Sequence, residues 1–186
     1  FRMLTIRTRL TRRGSVCTHV RTSTWTRSRL PRLTNSGRTV RSLARLLTNY
    51  DGVKILFASP QTFRIADDLR RDLIAARLDF EETTDFNGAI AAADAIYMTR
   101  IQDEYEGDNA GADEYHRYHL RAEHLSQLKP DCAILHPLPR RDELDPAIDR
   151  DPRAKYWRQE RNGMWVRVAL LTILFGIDDR VQLPDL

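Results

Sequence analysis

Three short runs, VKILFA (53–58), AIYM (95–98) and CAIL (132–135), are apolar without alternation, and segments with a helical repeat separate them. A strand that is apolar on both sides must be covered on both faces, and helices usually cover it. Strands alternating with helices at this spacing make βαβ units. The pattern predicts an α/β fold: a Rossmann-like, doubly wound, mostly parallel sheet flanked by helices. It places a helix over 39–49, where Val40, Leu43, Ala44 and Leu47 share one face. A turn follows at Asp51-Gly52. A second helix over 67–77 has Leu69, Leu73, Ile74 and Ala76 as its apolar residues. Then come a short strand over 78–82, an Ala-rich helix over 86–93 and a helix over 122–128 that stops before Pro130. One or two helices fill 153–175, with Gly163 a kink. Residues 103–114 are acidic, contain Gly107, Asn109 and Gly111, and read as a mobile loop.

The regular pattern begins near Asn35-Ser36-Gly37, which divides the chain into a tail, 1–36, and a domain, 37–186. Residues 1–38 hold ten Arg and no acid; the remaining residues hold 20 basic and 26 acidic side chains. The pI of 9.3 therefore describes the tail. Basic pI alone does not make the domain a nucleic-acid binder. Leu4 to Leu10 alternates weakly, as a short strand would, whereas Arg27 to Leu33, with Pro31, is poor material for a buried one. The first residue is Phe1, as expected of a fragment. Cys17 and Cys132 lie far apart and form no metal or disulfide pattern, which fits a reducing, cytoplasmic setting. The longest apolar run, Met164 to Phe175, is interrupted by Arg167 and is too short for a membrane span.

In an open α/β sheet ligands bind beyond the carboxyl ends of the strands. That rule selects three segments. Arg100 and Gln102 follow the strand AIYM; an Arg fork suits a carboxylate, and Gln102 points the same way in extended chain. Spacing alone favours an ordinary surface Arg and Gln there. His136-Pro137-Leu138-Pro139-Arg140 follows CAIL, and its two prolines leave a stiff loop whose carbonyls have few local donors. Such carbonyls can accept from an NH₂ group, although a rigid turn over a packed His136 explains the composition equally well. Arg38 opens a helix after Gly37, where an acid would be the usual choice. An anionic ligand at that helix start, or a nearby carboxylate, accounts for it.

Other groups read as solvated. His116, His119 and His124 show no second cluster at metal-ligand spacing, so no metal site is expected. Asp142, Glu143, Asp145, Asp149 and Asp151 read as a solvated acidic loop. There is no P-loop and no G-x-G-x-x-G.

The motifs GRTVRSL (37–43), YMTRIQ (97–102), HPLPRRDELDPAID (136–149) and DPRAKYWRQERNGMWVRVALL (151–171), in this order, resemble aspartate carbamoyltransferase over residues 37 to about 176. The related ornithine enzymes carry H-C-L-P and a Ser-Met-Gly loop, so HPLP and YMTRIQ favour aspartate. The resemblance implies that Arg38, Arg100 and Gln102 bind aspartate. It implies that Pro137, Leu138 and Pro139 present main-chain atoms to carbamoyl phosphate. The implied reaction gives N-carbamoyl-L-aspartate and phosphate in pyrimidine synthesis, with no cofactor and no metal. The implied intact enzyme is a homotrimer, with room for a regulatory subunit.

The family's first domain supplies a Ser-Thr-Arg-Thr phosphate loop, another Arg and a His, and a neighbouring subunit adds Ser and Lys. None has a counterpart in this sequence; Arg21-Thr22-Ser23 merely echoes the loop. No catalytic residue is therefore assigned to this chain. The family also places an apolar strand before GRTV, and here that slot reads TRSRLPRLTNS. A central strand is expected to be missing or replaced. The composition of 1–36 suggests a frameshifted or fragmentary gene, with a transit peptide as the weaker reading. Beside the inactive half-enzyme stand a non-catalytic interaction partner derived from it and, less in keeping with the body of the chain, a nucleic-acid module using the tail.

Overall fold

The computed structural model describes residues 3–8, 38–100 and 117–177. Their elements, in chain order, are β1 (Met3–Thr8), α1 (Arg38–Leu47), β2 (Val53–Ala58), α2 (Asp67–Ala75), β3 (Asp79–Thr83), α3 (Phe86–Ala92), β4 (Ala95–Tyr97), β5 (Ala133–Leu135) and α4 (Tyr156–Phe175). Short 3₁₀ turns cover Ala122–Gln127 and Pro146–Arg150. The expected loop at 103–114 lies outside the described residues, as do Gln102 and His116.

The five strands form one sheet in the order β3-β2-β1-β4-β5. The outer pairs, β2 with β3 and β4 with β5, are parallel. β1 runs antiparallel to both of its neighbours, with Leu4 opposite Phe57 on one side and Tyr97 on the other. The fold is α/β as predicted, but the sheet is mixed rather than mostly parallel. The central slot is filled from within the Arg-rich stretch, where no apolar strand directly precedes Arg38. Residues 9–37 separate β1 from α1, so no short crossover dictates β1's direction. The strand order turns outward in opposite senses from β1, which puts the switch point between β2 and β4.

Alternate side chains of the strands bury on opposite faces. On one face Ile55, Phe57 and Tyr97 pack with Val40 and Ala44 of α1 and Leu69 and Leu73 of α2. On the other, Ala58, Ile96 and Ile134 pack with Phe86 and Ile90 of α3, Leu144, Ile148 and Tyr156. Ile74, counted above with the apolar face of α2, is exposed instead. Arg41 bonds Asp68 and Arg45 bonds Asp72 at 2.8 Å, which ties α1 to α2. Asp85 caps α3 by accepting the Gly88 N–H at 2.9 Å.

α4 is one continuous helix, so Gly163 neither breaks nor divides it. Gly176, at φ +64°, ends it; its N–H and that of Ile177 go to the carbonyls of Ile173 and Thr172. Toward its C-terminal end the helix is largely exposed. Leu170, Leu171, Ile173, Leu174 and Phe175 are all more than half exposed. A helix this apolar is normally buried on most sides.

Candidate functional site

Three strand or helix ends meet along one rim of the sheet. Tyr97 closes β4, and its hydroxyl interacts with the polar side chains of Thr39, in the first turn of α1, and Gln159, on α4. Gln159 in turn accepts the backbone N–H of His136, where the chain leaves β5, at 3.1 Å. Arg38 is the residue before Thr39, and Arg100 follows Tyr97 by three. The segments carrying both guanidinium groups thus lie beside the 136–140 loop. Burial pushes the Tyr97 phenol above its ordinary value, so it stays a neutral hydroxyl. Arg38 and Arg100 are exposed, and neither forms an ion pair with an acid among the described residues.

The 136–140 loop is built differently from a plain Pro-rich turn. Of the two readings of this loop the structure bears out the packed His136, whose side chain is fully buried. Its Nδ1 accepts the Leu138 N–H at 2.9 Å, and its Nε2 lies 2.8 Å from Glu143 Oε1. That oxygen also accepts the Arg141 N–H at 3.0 Å. Leu138 has φ +50°, the left-handed region that a residue with a Cβ rarely enters. Pro137 and Leu138 are half-buried and Pro139 is exposed. Burial alone would raise the Glu143 carboxyl. The His136 hydrogen bond and the backbone N–H donors outweigh it, and the group sits below its ordinary value of 4.5.

The acidic run is not a solvated loop. Glu143 is only 3% exposed. Asp149 takes both terminal nitrogens of Arg140 and the Tyr156 hydroxyl, and the Arg140 bonds are the main cause of its lowered pKa. Arg140 also stacks on Tyr156 and Trp157, with its guanidinium carbon 5.8 and 5.5 Å from the ring centres. It is therefore a strut of the loop. Asp145 caps the turn at Pro146–Arg150, and Asp151 chelates Arg153. Asp142 alone of the five is exposed. Each of the other acids found a donor within its own loop, which a charge pattern cannot show. The histidine expectation is corrected too. His119 is buried, with Arg121 2.8 Å from Nδ1, and His124 packs edge-on against Phe86 while accepting the Arg121 N–H. No group of three or more metal-ligating side chains occurs among the described residues.

Sequence reasoning missed Thr39, Tyr97, Glu143 and Gln159. Thr39 and Tyr97 sit beside motif arginines, and that adjacency was the one available signal. Nothing in the spacing pairs Glu143 with His136 or sends Gln159 to two partners. A cleft of about 370 Å³ lies past the ends of β2 and β3, lined by Ser59, Gln61, Arg64 and Glu82 among others. A larger one, about 630 Å³, lies at the opposite end of the sheet around Asp51, Lys54 and Arg77. Neither includes a motif residue.

The chain is thus an α/β domain with exposed arginines and a stiff Pro-rich loop at one rim of its sheet. Residues 34–174 match the model of the aspartate/ornithine carbamoyltransferase family, Asp/Orn binding domain, and the chain belongs to that family. It is 39% identical over 141 residues to aspartate carbamoyltransferase 1, chloroplastic, of Pisum sativum, which covers 75% of this chain and 36% of the relative. It is 38% identical over 146 residues to the aspartate carbamoyltransferase catalytic subunit of Clostridium botulinum, covering 76% and 47%. Among solved structures it resembles the catalytic subunit of M. jannaschii aspartate transcarbamoylase, with a TM-score of 0.70 at 34% identity over 77% of this chain and 46% of that one. It also resembles the Trypanosoma cruzi enzyme in complex with carbamoyl phosphate, with a TM-score of 0.65 at 30% identity over 73% and 45%. The chain spans less than half the length of these relatives. No helix among the described residues is long and apolar enough to cross a membrane.

Proposed function

We propose that residues 37–186, with β1 completing their sheet, are the aspartate-binding domain of an aspartate carbamoyltransferase, acting in pyrimidine synthesis with a separate carbamoyl-phosphate domain. The observation that carries this reading is the meeting of Thr39, the Tyr97 hydroxyl, Gln159 and the His136 N–H at one place. It puts the segments of Arg38, Arg100 and the 136–140 loop on one rim. Arg38 and Arg100 then take the two carboxylates of L-aspartate, with Gln102 beside them. The Pro137–Pro139 backbone turns carbonyl oxygens toward the NH₂ of carbamoyl phosphate. The aspartate amine attacks the carbamoyl carbon and forms the C–N bond. The C–O bond to phosphate breaks, phosphate leaves with its electron pair, and the amine proton is lost. This chain's share is orientation, which lowers the barrier without a covalent nucleophile. The reading includes a homotrimer as the intact enzyme, a site for a regulatory subunit left open, and a cytoplasmic setting.

The test is a transferase assay on the chain alone and with the first domain of a relative supplied separately. The chain alone gives no product. The mixture carbamoylates L-aspartate and leaves L-ornithine unreacted. No turnover in the mixture, with no aspartate binding, supports the non-catalytic partner instead. Affinity for DNA that disappears when the arginines between residues 9 and 36 are replaced by Ser, with β1 kept, supports the nucleic-acid module.

A further inference from the structure

We infer that His136 and Glu143 are positioning residues that set the direction of the Pro137–Pro139 backbone through a hydrogen-bonded clamp. The inference rests on the reading that this backbone faces carbamoyl phosphate. It goes further by naming what holds the backbone there. Three backbone N–H groups of the loop end in the clamp. The Leu138 N–H donates to His136 Nδ1, the Arg141 N–H donates to Glu143 Oε1, and the His136 N–H donates to Gln159. A ring nitrogen that accepts from Leu138 carries no proton, so the ring proton lies on Nε2, 2.8 Å from Glu143. The ring therefore links one N–H on the substrate side of the loop to a carboxylate on the other.

Two features separate this from ordinary packing. Leu138 sits at φ +50°, a conformation that persists only where the surroundings over-determine it. The Leu138 N–H bond to the ring is the local contact that does so. The clamp also buries an imidazole and a carboxylate at 0% and 4% side-chain exposure. Burying such groups is costly unless every donor and acceptor is matched. An apolar side chain would serve a simple turn more cheaply. The Met98 N–H donates to the Leu135 carbonyl at 2.9 Å, so the loop and the Arg100 segment leave neighbouring, bonded strands.

Asn and Gln substitutions divide the two ring nitrogens. His136→Asn keeps an acceptor near the Nδ1 position; His136→Gln keeps a donor near the Nε2 position. Amide hydrogen exchange on the full chain gives the first readout. Leu138 stays protected in the wild type and in His136→Asn, and exchanges about 10-fold faster or more in His136→Gln, the loss of one hydrogen bond. The transferase assay with the first domain supplied gives the second. His136→Gln lowers kcat about 100-fold, as a misplacement of about 1 Å would. The KM for aspartate stays within about 3-fold, because Arg38 and Arg100 are untouched. His136→Asn keeps kcat within about 10-fold of the wild type. Glu143→Gln, which retains an acceptor oxygen, restores most of what Glu143→Leu removes. Equal losses in His136→Asn and His136→Gln, or unchanged Leu138 protection in His136→Gln, overturn the inference. If the wild-type mixture shows no turnover, the functional reading fails, and the exchange experiment alone decides the clamp.

Discussion

Replacing Glu143 by Leu tests the buried network at its most expensive point. The substitution keeps bulk but removes the oxygen that accepts from His136 Nε2–H and from the Arg141 N–H. Glu143 is 3% exposed and the His136 side chain fully buried, so water cannot replace the lost acceptor without opening the loop. Each stranded donor costs about 1–3 kcal/mol, which gives roughly 2–6 kcal/mol for the pair. Burial of the leucine side chain returns about 1.5–3 kcal/mol. At the midpoints of these ranges the net loss is about 2 kcal/mol, a sizeable part of a domain stability of about 5–15 kcal/mol. With a urea dependence of about 2 kcal/mol per molar, the unfolding midpoint falls by about 1 M. Trp157 and Trp165 fluorescence reports it. Glu143→Gln, which keeps an acceptor, loses less than half as much. A Glu143→Leu midpoint equal to that of the wild type refutes the claim that this oxygen satisfies two buried donors.

Acid unfolding has a defined sign. Glu143, Asp149, Asp151, Asp145 and Asp68 all sit below their ordinary values of 4.5 or 3.8. Their stabilisation is complete above the unfolded values and is lost as pH falls through the lower folded ones. The urea midpoint is therefore level above about pH 5 and drops steadily below about pH 4; a midpoint that rises on acidification contradicts this. Burial pushes the Cys132 thiol up to about 11 and leaves the residue 1% exposed. Iodoacetamide at neutral pH should leave the Cys132 peptide unmodified until urea unfolds the chain, as mass spectrometry of the digest would show. Leu174→Lys with Phe175→Lys, at side chains 78% and 75% exposed, should reduce aggregation of the isolated chain on size exclusion. Unchanged aggregation would mean that this face is not its cause.

The sheet and its helices were legible because periodicity reports burial, and burial decides these elements. VKILFA, AIYM and CAIL became β2, β4 and β5, and the Val40–Ala44 stripe became the buried face of α1. The central strand was less legible. The slot's usual position before Arg38 holds Pro31 and alternating Arg, while the strand that fills it, Met3–Thr8, is distant in sequence and reversed. Pattern shows that a segment can be a strand; it does not show which neighbours it will meet. Motif residues could be named from sequence, but their supports could not. Glu143, Asp149 and Asp151 look like solvent-facing acids because charge normally stays in water. Their partners His136, Arg140 and Arg153 come from geometry that only the folded loop reveals. Gln159 carries no signal at all until α4 is laid beside β4 and β5.

The most direct test is calorimetric titration of L-aspartate into the chain reconstituted with a first domain and carbamoyl phosphate, comparing the wild type with Arg38→Ala and Arg100→Ala. The account predicts measurable binding in the wild type and a loss of about 10-fold or more in each variant, since each removes a charge-assisted pair worth about 1.5–3 kcal/mol. Aspartate affinity that is the same in all three proteins would show that these two side chains do not hold the ligand.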